Sequence, residues 1–217
     1  MEEDYDIVNA TEESQDNIVE FLRRALYKHE PINVAVGAPP DRPIDFITPL
    51  QYLSEGKSLI AVSRNERRIL GFCGNTVMTP SRNENITQRK IYTEPLYNII
   101  LQFVYKIEDS ADIWKKTGAD RAMSIRHLGV DPAVKGRGIG RRLMEASRHL
   151  ARSEGYPLLY IVCTSYYSAK IARAIGMQCV YSLPYAEYKD KDGNPVFTPP
   201  HPHTDVAVFV QKLSPEA

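Results

Sequence analysis

Apolar and polar positions along this chain follow two rhythms, one of period two and one of period three to four, and their succession predicts the elements. Residues 5–10 (YDIVNA) alternate like a strand, and after Thr11 the side chains Ile18, Phe21, Leu22 and Ala25 recur at the spacing of one helix face. Pro31 must end that helix. A second short helix is predicted over 45–55, followed by strands at 58–63 and 69–78 that the polar turn RNERR joins as a hairpin. Residues 80–94 are polar and read as a loop. Pro95 suits the first turn of a helix that carries Leu96, Ile100, Phe103 and Ile107 on one face as far as Glu108.

The second half is more regular. Residues 123–130 form a strand with an irregularity: Met123 and Ile125 share one parity, Leu128 and Val130 the other, so a β-bulge is predicted near 127–129. Ile139, Leu143, Ala146 and Leu150 make a helix stripe, and 158–163 is the uninterrupted apolar run of a buried parallel strand. Strand, glycine turn, helix and strand compose a βαβ unit. A helix over 167–175 closes at Gly176 as a left-handed cap, and strands over 179–188 and 205–212 complete an α/β fold, expected as one domain over 1–217.

Composition adds mostly exclusions. The 217 residues are 43% apolar and 25% charged, ordinary for a globular domain. Lys plus Arg, 27, balances Asp plus Glu, 27, so no net field draws the chain to nucleic acid or an anionic membrane, and any basic site is local. The opening MEEDYDIVNATEES lacks a signal peptide's basic and apolar regions, and no segment reaches the ~18 apolar residues of a membrane span. The expected compartment is the cytoplasm. Cys73, Cys163 and Cys179 are odd in number and lack metal-ligand spacing, which predicts reduced structural thiols and no metal.

The distinctive stretch is VDPAVKGRGIGRRL, 130–143, with Gly136, Gly138 and Gly140 entering a helix. Unpaired amides and the helix dipole attract phosphate there, and glycines let it approach. A P-loop is excluded because Arg141, not Lys followed by Ser or Thr, succeeds Gly140. The dinucleotide fingerprint fails too, since Arg141 and Leu143 occupy the places of its third glycine. An ordinary basic turn stays open on the residues alone. The run KGRGIG resembles the R/Q-x-x-G-x-G/A signature of the GCN5-related N-acetyltransferases, with Lys135 where that family prefers Arg or Gln. The resemblance implies acetyl-CoA as co-substrate, held along Leu128, Gly129 and Val130 and by Lys135, Gly136, Arg137, Gly138, Ile139 and Gly140. It also implies a mixed, splayed central sheet of about seven strands flanked by helices.

Five further segments narrow the resemblance: HEPIN at 29–33, VCTSYYSAK at 162–170, AIGM at 174–177, PYAEYK at 184–189 and VFTPPHPH at 196–203. They are similar to the insect arylalkylamine N-acetyltransferases, the group that includes dopamine N-acetyltransferase. The likeness is strongest from Leu128 onward, while residues 55–120 match only in the order of elements. It implies a small primary amine as acceptor, Glu30 as the base, Thr164 and Ser168 as hydroxyls serving the reaction, Ser168 also near the acetyl-CoA sulfur, and His203 organising a water chain to Glu30. Tyr166 and Tyr185 are the implied walls of the amine pocket. The superfamily's usual tyrosine acid falls at Ala172, so that acid is absent.

The chemistry is coherent without the family, because an alkylamine is mostly protonated at neutral pH and cannot attack a thioester until a base takes its proton. Blander alternatives stand beside each residue. Glu30 could be a solvated helix-end group, Ser168 a helix cap, and the two tyrosines core. Cys163 ends an apolar run with no basic partner in sequence, which favours direct transfer over an acetyl-enzyme. A backbone N–H freed by the bulge is the implied donor to the thioester carbonyl. The expected enzyme is a monomer with no nucleic-acid or membrane partner. Polyamines, protein amines or non-catalytic acyl-CoA binding remain rivals.

Overall fold

A computed structural model describes residues 4–39, 53–81 and 95–214. Seven strands form a single mixed sheet: β1 (Tyr5–Asn9), β2 (Leu59–Ser63), β3 (Ile69–Met78), β4 (Ala122–Val130), β5 (Leu158–Cys163), β6 (Gln178–Pro184) and β7 (Asp205–Lys212). Their spatial order is β1-β2-β3-β4-β5-β7-β6. Helices α1 (Gln15–Phe21), α2 (Pro31–Ala35), α3 (Pro95–Ala111), α4 (Ile113–Thr117), α5 (Ile139–Ser153) and α6 (Tyr166–Ala174) flank it. This is the expected splayed α/β architecture, and three buried apolar clusters fill the spaces between sheet and helices.

The splay has a local cause. β4 and β5 are parallel and pair only from Met123↔Leu159 to Ile125↔Ile161. Both strands continue, but β4 then bulges and β5 keeps only its pairing with β7, which runs from Leu158↔Lys212 to Cys163↔Ala207. The two halves of the sheet therefore part, and a wedge opens between them. The bulge lies one residue before the expected span: β3 pairs Gly74 with His127 and Asn75 with Ile125, leaving Arg126 as the extra residue. Arg126 explains the placement, for its guanidinium is turned inward onto the buried carboxylate of Glu108 in α3.

Four other expectations shift. The first helix is not regular: α1 widens into a π-helical turn over Leu22–Tyr27, and Pro31 then starts α2 as well as ending its predecessor. A missed short helix, α4, follows the left-handed Asp112 at φ 44°. The predicted strand over 179–188 stops at Pro184, because residues 185–187 make a 3₁₀ turn whose Tyr185 N–H bonds the Thr204 carbonyl at 3.0 Å. Of the helix expected over 45–55, residues 53–55 form a 3₁₀ turn and the rest lies outside the described residues, as does most of the 80–94 loop. Among the described residues no helix is long and apolar enough to cross a membrane.

Candidate active site

The wedge opens into a groove of about 670 Å³ whose lining joins both ends of the chain. Leu128, Gly129 and Val130 of β4 line it; Lys135, Gly136, Arg137, Gly138, Ile139 and Gly140 border it at the start of α5; Glu30, Ser168 and His203 line it as well. Every cofactor-binding residue expected from the sequence lies on this one surface.

The glycine turn has its composition for steric reasons. Gly136 and Gly138 sit at φ 83° and 77°, left-handed values that cost other L-residues about 1–2 kcal/mol each. Gly138 is the N-cap of α5 and its carbonyl receives the first helical bond, from Arg142 N–H at 3.1 Å. The first N–H groups of that 15-residue helix lack intrahelical partners and face the groove with the positive end of the helix dipole. Lys135, Arg137 and Arg141 add positive charge around them. Such a rim fits a pyrophosphate.

Asp131 locks the turn to the rest of the wall, a role the sequence reading overlooked. Its Oδ1 accepts the Ala133 N–H at 2.9 Å, capping the 3₁₀ turn Pro132–Val134, while Oδ2 pairs with Arg68 at 2.8 Å and with Arg24 from the π turn. Burial pushes this carboxyl upward, but the Ala133 bond and the two guanidinium groups outweigh it and hold the group below its ordinary value. The Asp-Pro pair directly after a strand was the available signal, a habitual turn initiator.

Glu30 stands in the break between two helical segments. With φ −68° and ψ 121° it is extended, as the following proline requires, and it serves as N-cap residue of α2, whose Val34 N–H bonds the Glu30 carbonyl at 3.0 Å. Buried Asn33 reinforces the break by donating from Nδ2 to the Tyr27 carbonyl at 3.1 Å. The carboxylate is thereby carried toward β5, where Thr164 Oγ1 donates to Glu30 Oε1 at 2.6 Å. Thr164 is absent from the groove lining, one bond behind it.

Around the start of α6 the hydroxyls divide their tasks. Ser165, not Ser168, is the helix cap, its Oγ accepting the Ser168 N–H at 3.1 Å. Ser168 Oγ donates to the Ser165 carbonyl at 3.0 Å and lines the groove. His203 Nδ1 accepts the Tyr166 N–H at 3.0 Å, which leaves the ring proton on Nε2. Burial and then the neighbouring His201 lower its pKa, so the ring is neutral at pH 7. Cys163 is 1% exposed and burial pushes its thiol up to about 12, the opposite of an activated nucleophile.

The two tyrosines expected as pocket walls both lie outside the lining of this groove. Tyr166 is 43% exposed and outside the groove lining; its neighbour Tyr167 lines the groove instead, its ring edge-on to His203 at 5.7 Å between centroids. Tyr185 is buried beneath Thr164, its hydroxyl donating to the Thr164 carbonyl at 2.6 Å. Helix periodicity decides the first case, since position 167 shares a face with Ile171 and 166 does not. His29 and His201 also line the groove unforeseen. Ala172 is fully buried in the core, so the superfamily's acid position offers no polar group. Among the described residues no cluster of three or more His, Cys, Asp or Glu could hold a metal.

The sequence profile of the acetyltransferase (GNAT) family matches residues 26–174. The crystal structure of mosquito arylalkylamine N-acetyltransferase-like 5b superposes with TM-score 0.88 at 22% identity, covering 96% of this chain and 100% of its own. Arylalkylamine N-acetyltransferase 2 from Aedes aegypti gives 0.88 at 22%, with 98% and 100% covered. The Drosophila melanogaster polyamine N-acetyltransferase, described as forming N-acetylagmatine, gives 0.85 at 28%, with 97% and 100% covered.

Proposed function

The chain belongs to the acetyltransferase (GNAT) family, acetyl-CoA-dependent N-acetyltransferases, and from that premise we propose that it acetylates the primary amine of a small arylalkylamine or biogenic amine by direct attack in a ternary complex. One observation carries the proposal. Among the described residues lining the groove, Glu30 is the single acidic side chain, and it faces the same space as the glycine turn.

The residues divide the work as follows. The amides of the Gly136–Gly140 turn and Lys135 and Arg137 hold the pyrophosphate, while Leu128, Gly129 and Val130 line the path of the pantetheine arm. Acetyl-CoA supplies the thioester. Glu30 takes one proton from the ammonium group, directly or through water, with Thr164 keeping the carboxylate aimed. The freed nitrogen forms the new C–N bond as the C–S bond breaks, and its second proton ends on the departing sulfur as CoASH. Ser168 and the Nε2–H of His203 provide donors along the same wall. The buried, protonated Cys163 supports direct transfer rather than an acetyl-enzyme.

A second reading takes agmatine or another polyamine as acceptor, favoured by the 28% identity to the Drosophila enzyme. A diamine brings a second cation, and the described groove offers it the positive charges of Lys135, Arg137 and Arg141 but no second carboxylate. Charge therefore favours an amine with an uncharged tail. A kinetic screen of CoA release decides: tryptamine, dopamine and histamine are expected to exceed agmatine and spermidine in kcat/KM, and the reverse order would hand the site to polyamines.

A further inference from the structure

Tyr185 occupies a position that its burial alone does not explain. Cys163↔Ala207 is the last pair between β5 and β7, so the carbonyl of the next residue, Thr164, falls beyond the ladder. A backbone acceptor left there without a partner is costly when water is excluded. Tyr185 supplies the partner, its hydroxyl donating to Thr164 O at 2.6 Å. The same threonine's hydroxyl donates to Glu30 Oε1, also at 2.6 Å. Thr164 is thus gripped by its main chain from below while its side chain grips the carboxylate above.

The phenol is itself held rigidly. Tyr185 is 3% exposed, its N–H bonds Thr204 O, and its ring lies against Phe103 and Phe197 with centroids 5.9 and 6.3 Å away. Burial first, and then the negative charge of Glu30, raise its pKa far above the ordinary phenol value, so it remains a neutral donor. A proton shuttle it is not.

We infer that Tyr185 is a positioning residue for the acyl transfer, fixing the Thr164 main chain so that the Thr164 hydroxyl stays directed at the Glu30 carboxylate. The inference rests on Glu30 being the base. It converts what the sequence suggested as a wall of the amine pocket into a brace that never meets substrate.

A double-mutant cycle tests it. Tyr185→Phe removes only the phenol oxygen, and Thr164→Val removes the side-chain hydroxyl while keeping the carbonyl that Tyr185 binds. Each variant's kcat is normalised to the fraction that binds acetyl-CoA by calorimetry and measured well below the melting point of the least stable protein, so incomplete folding does not enter. Tyr185→Phe is expected to lower kcat about tenfold, the size of one well-placed hydrogen bond, with the acetyl-CoA Kd unchanged. On the Thr164→Val background the same substitution is expected to cost less than about twofold. Equal losses on both backgrounds would mean that the ring merely supports the sheet, and would overturn the inference. Glu30→Gln in the same series separates the premise: full activity there removes Glu30 as base, whereas an inactive Glu30→Gln with additive Tyr185 and Thr164 effects removes only the brace.

Discussion

Thr164 and Glu30 lie 134 positions apart, yet the threonine hydroxyl donates to the Glu30 carboxylate at 2.6 Å. The bond joins the helix break made by Pro31 to the end of β5, so the candidate base depends on the packing of both halves of the sheet. Glu30→Gln keeps the shape and an acceptor for Thr164 but cannot take a proton. Turnover is expected to fall about 10²- to 10⁴-fold, the range for loss of general base catalysis, with acetyl-CoA affinity unchanged by calorimetry. Glu30 is assigned to the amine and not to the pyrophosphate, so an equal loss of cofactor binding would contradict its assignment.

The glycine turn makes a separate prediction. A Cβ added at Gly136 or Gly138 would meet nothing within 4 Å, so steric collision is not the issue and backbone conformation is. Each Ala substitution must hold a left-handed φ or abandon it, at about 1–2 kcal/mol. Spent on reshaping the amide cradle, that energy corresponds to roughly five- to thirtyfold weaker acetyl-CoA binding. Calorimetry on Gly138→Ala checks this, with the amine KM expected to stay near the wild-type value. Unchanged acetyl-CoA affinity would show that the turn does not hold the pyrophosphate.

Where the sequence was legible, a local rule and a tertiary demand agreed. Gly176 was expected as a left-handed cap and has φ 83°, the apolar run at 158–163 was expected to be buried and is, and both were evident from residue type alone. The misses share a cause. Tyr185, Asp131 and Arg126 take their roles from partners remote in sequence: the Thr164 carbonyl, Arg24 and Arg68, and Glu108. No periodicity announces such a partner. Tyr166 and Tyr167 differ by one helical step; periodicity groups Tyr167 with Ile171, but only the docking of α6 puts that face on the groove. The π turn at Leu22–Tyr27 was equally hidden, because its residues are ordinary helix formers and Glu30's reach toward Thr164 is a tertiary requirement.

Cys163 offers the clearest distinction between direct and two-step transfer. Burial raises its thiol to about 12, leaving almost no thiolate at pH 7. Cys163→Ala is expected to retain kcat within about twofold, at a stability cost of about 1 kcal/mol for the small cavity. Intact-protein mass spectrometry after mixing wild-type protein with acetyl-CoA alone is expected to show no added acetyl group. A 42-dalton adduct lost in the Ala variant would reverse the mechanism, 42 being roughly the mass that one acetyl adds to a nucleophile.

Asp131 links the architecture of the turn to pH. Its folded carboxyl lies below its unfolded value, held there by Ala133 N–H, Arg24 and Arg68 against the upward push of burial. It therefore contributes stability above the ordinary carboxylate value of about 4 and loses that contribution as pH falls through the folded value. Asp131→Asn keeps an acceptor for Ala133 but removes the charge. Arg24 and Arg68 are 39% and 42% exposed, so water screens them once the carboxylate is gone and limits the cost to about 1–2 kcal/mol at pH 7. Urea unfolding across pH then has a defined shape: the two proteins differ at neutral pH and converge in acid, as pH falls through the folded value of Asp131 and the wild-type carboxyl is itself protonated. A gap that persists in acid would mean that the amide's geometry, and not the lost charge, is what destabilises the turn.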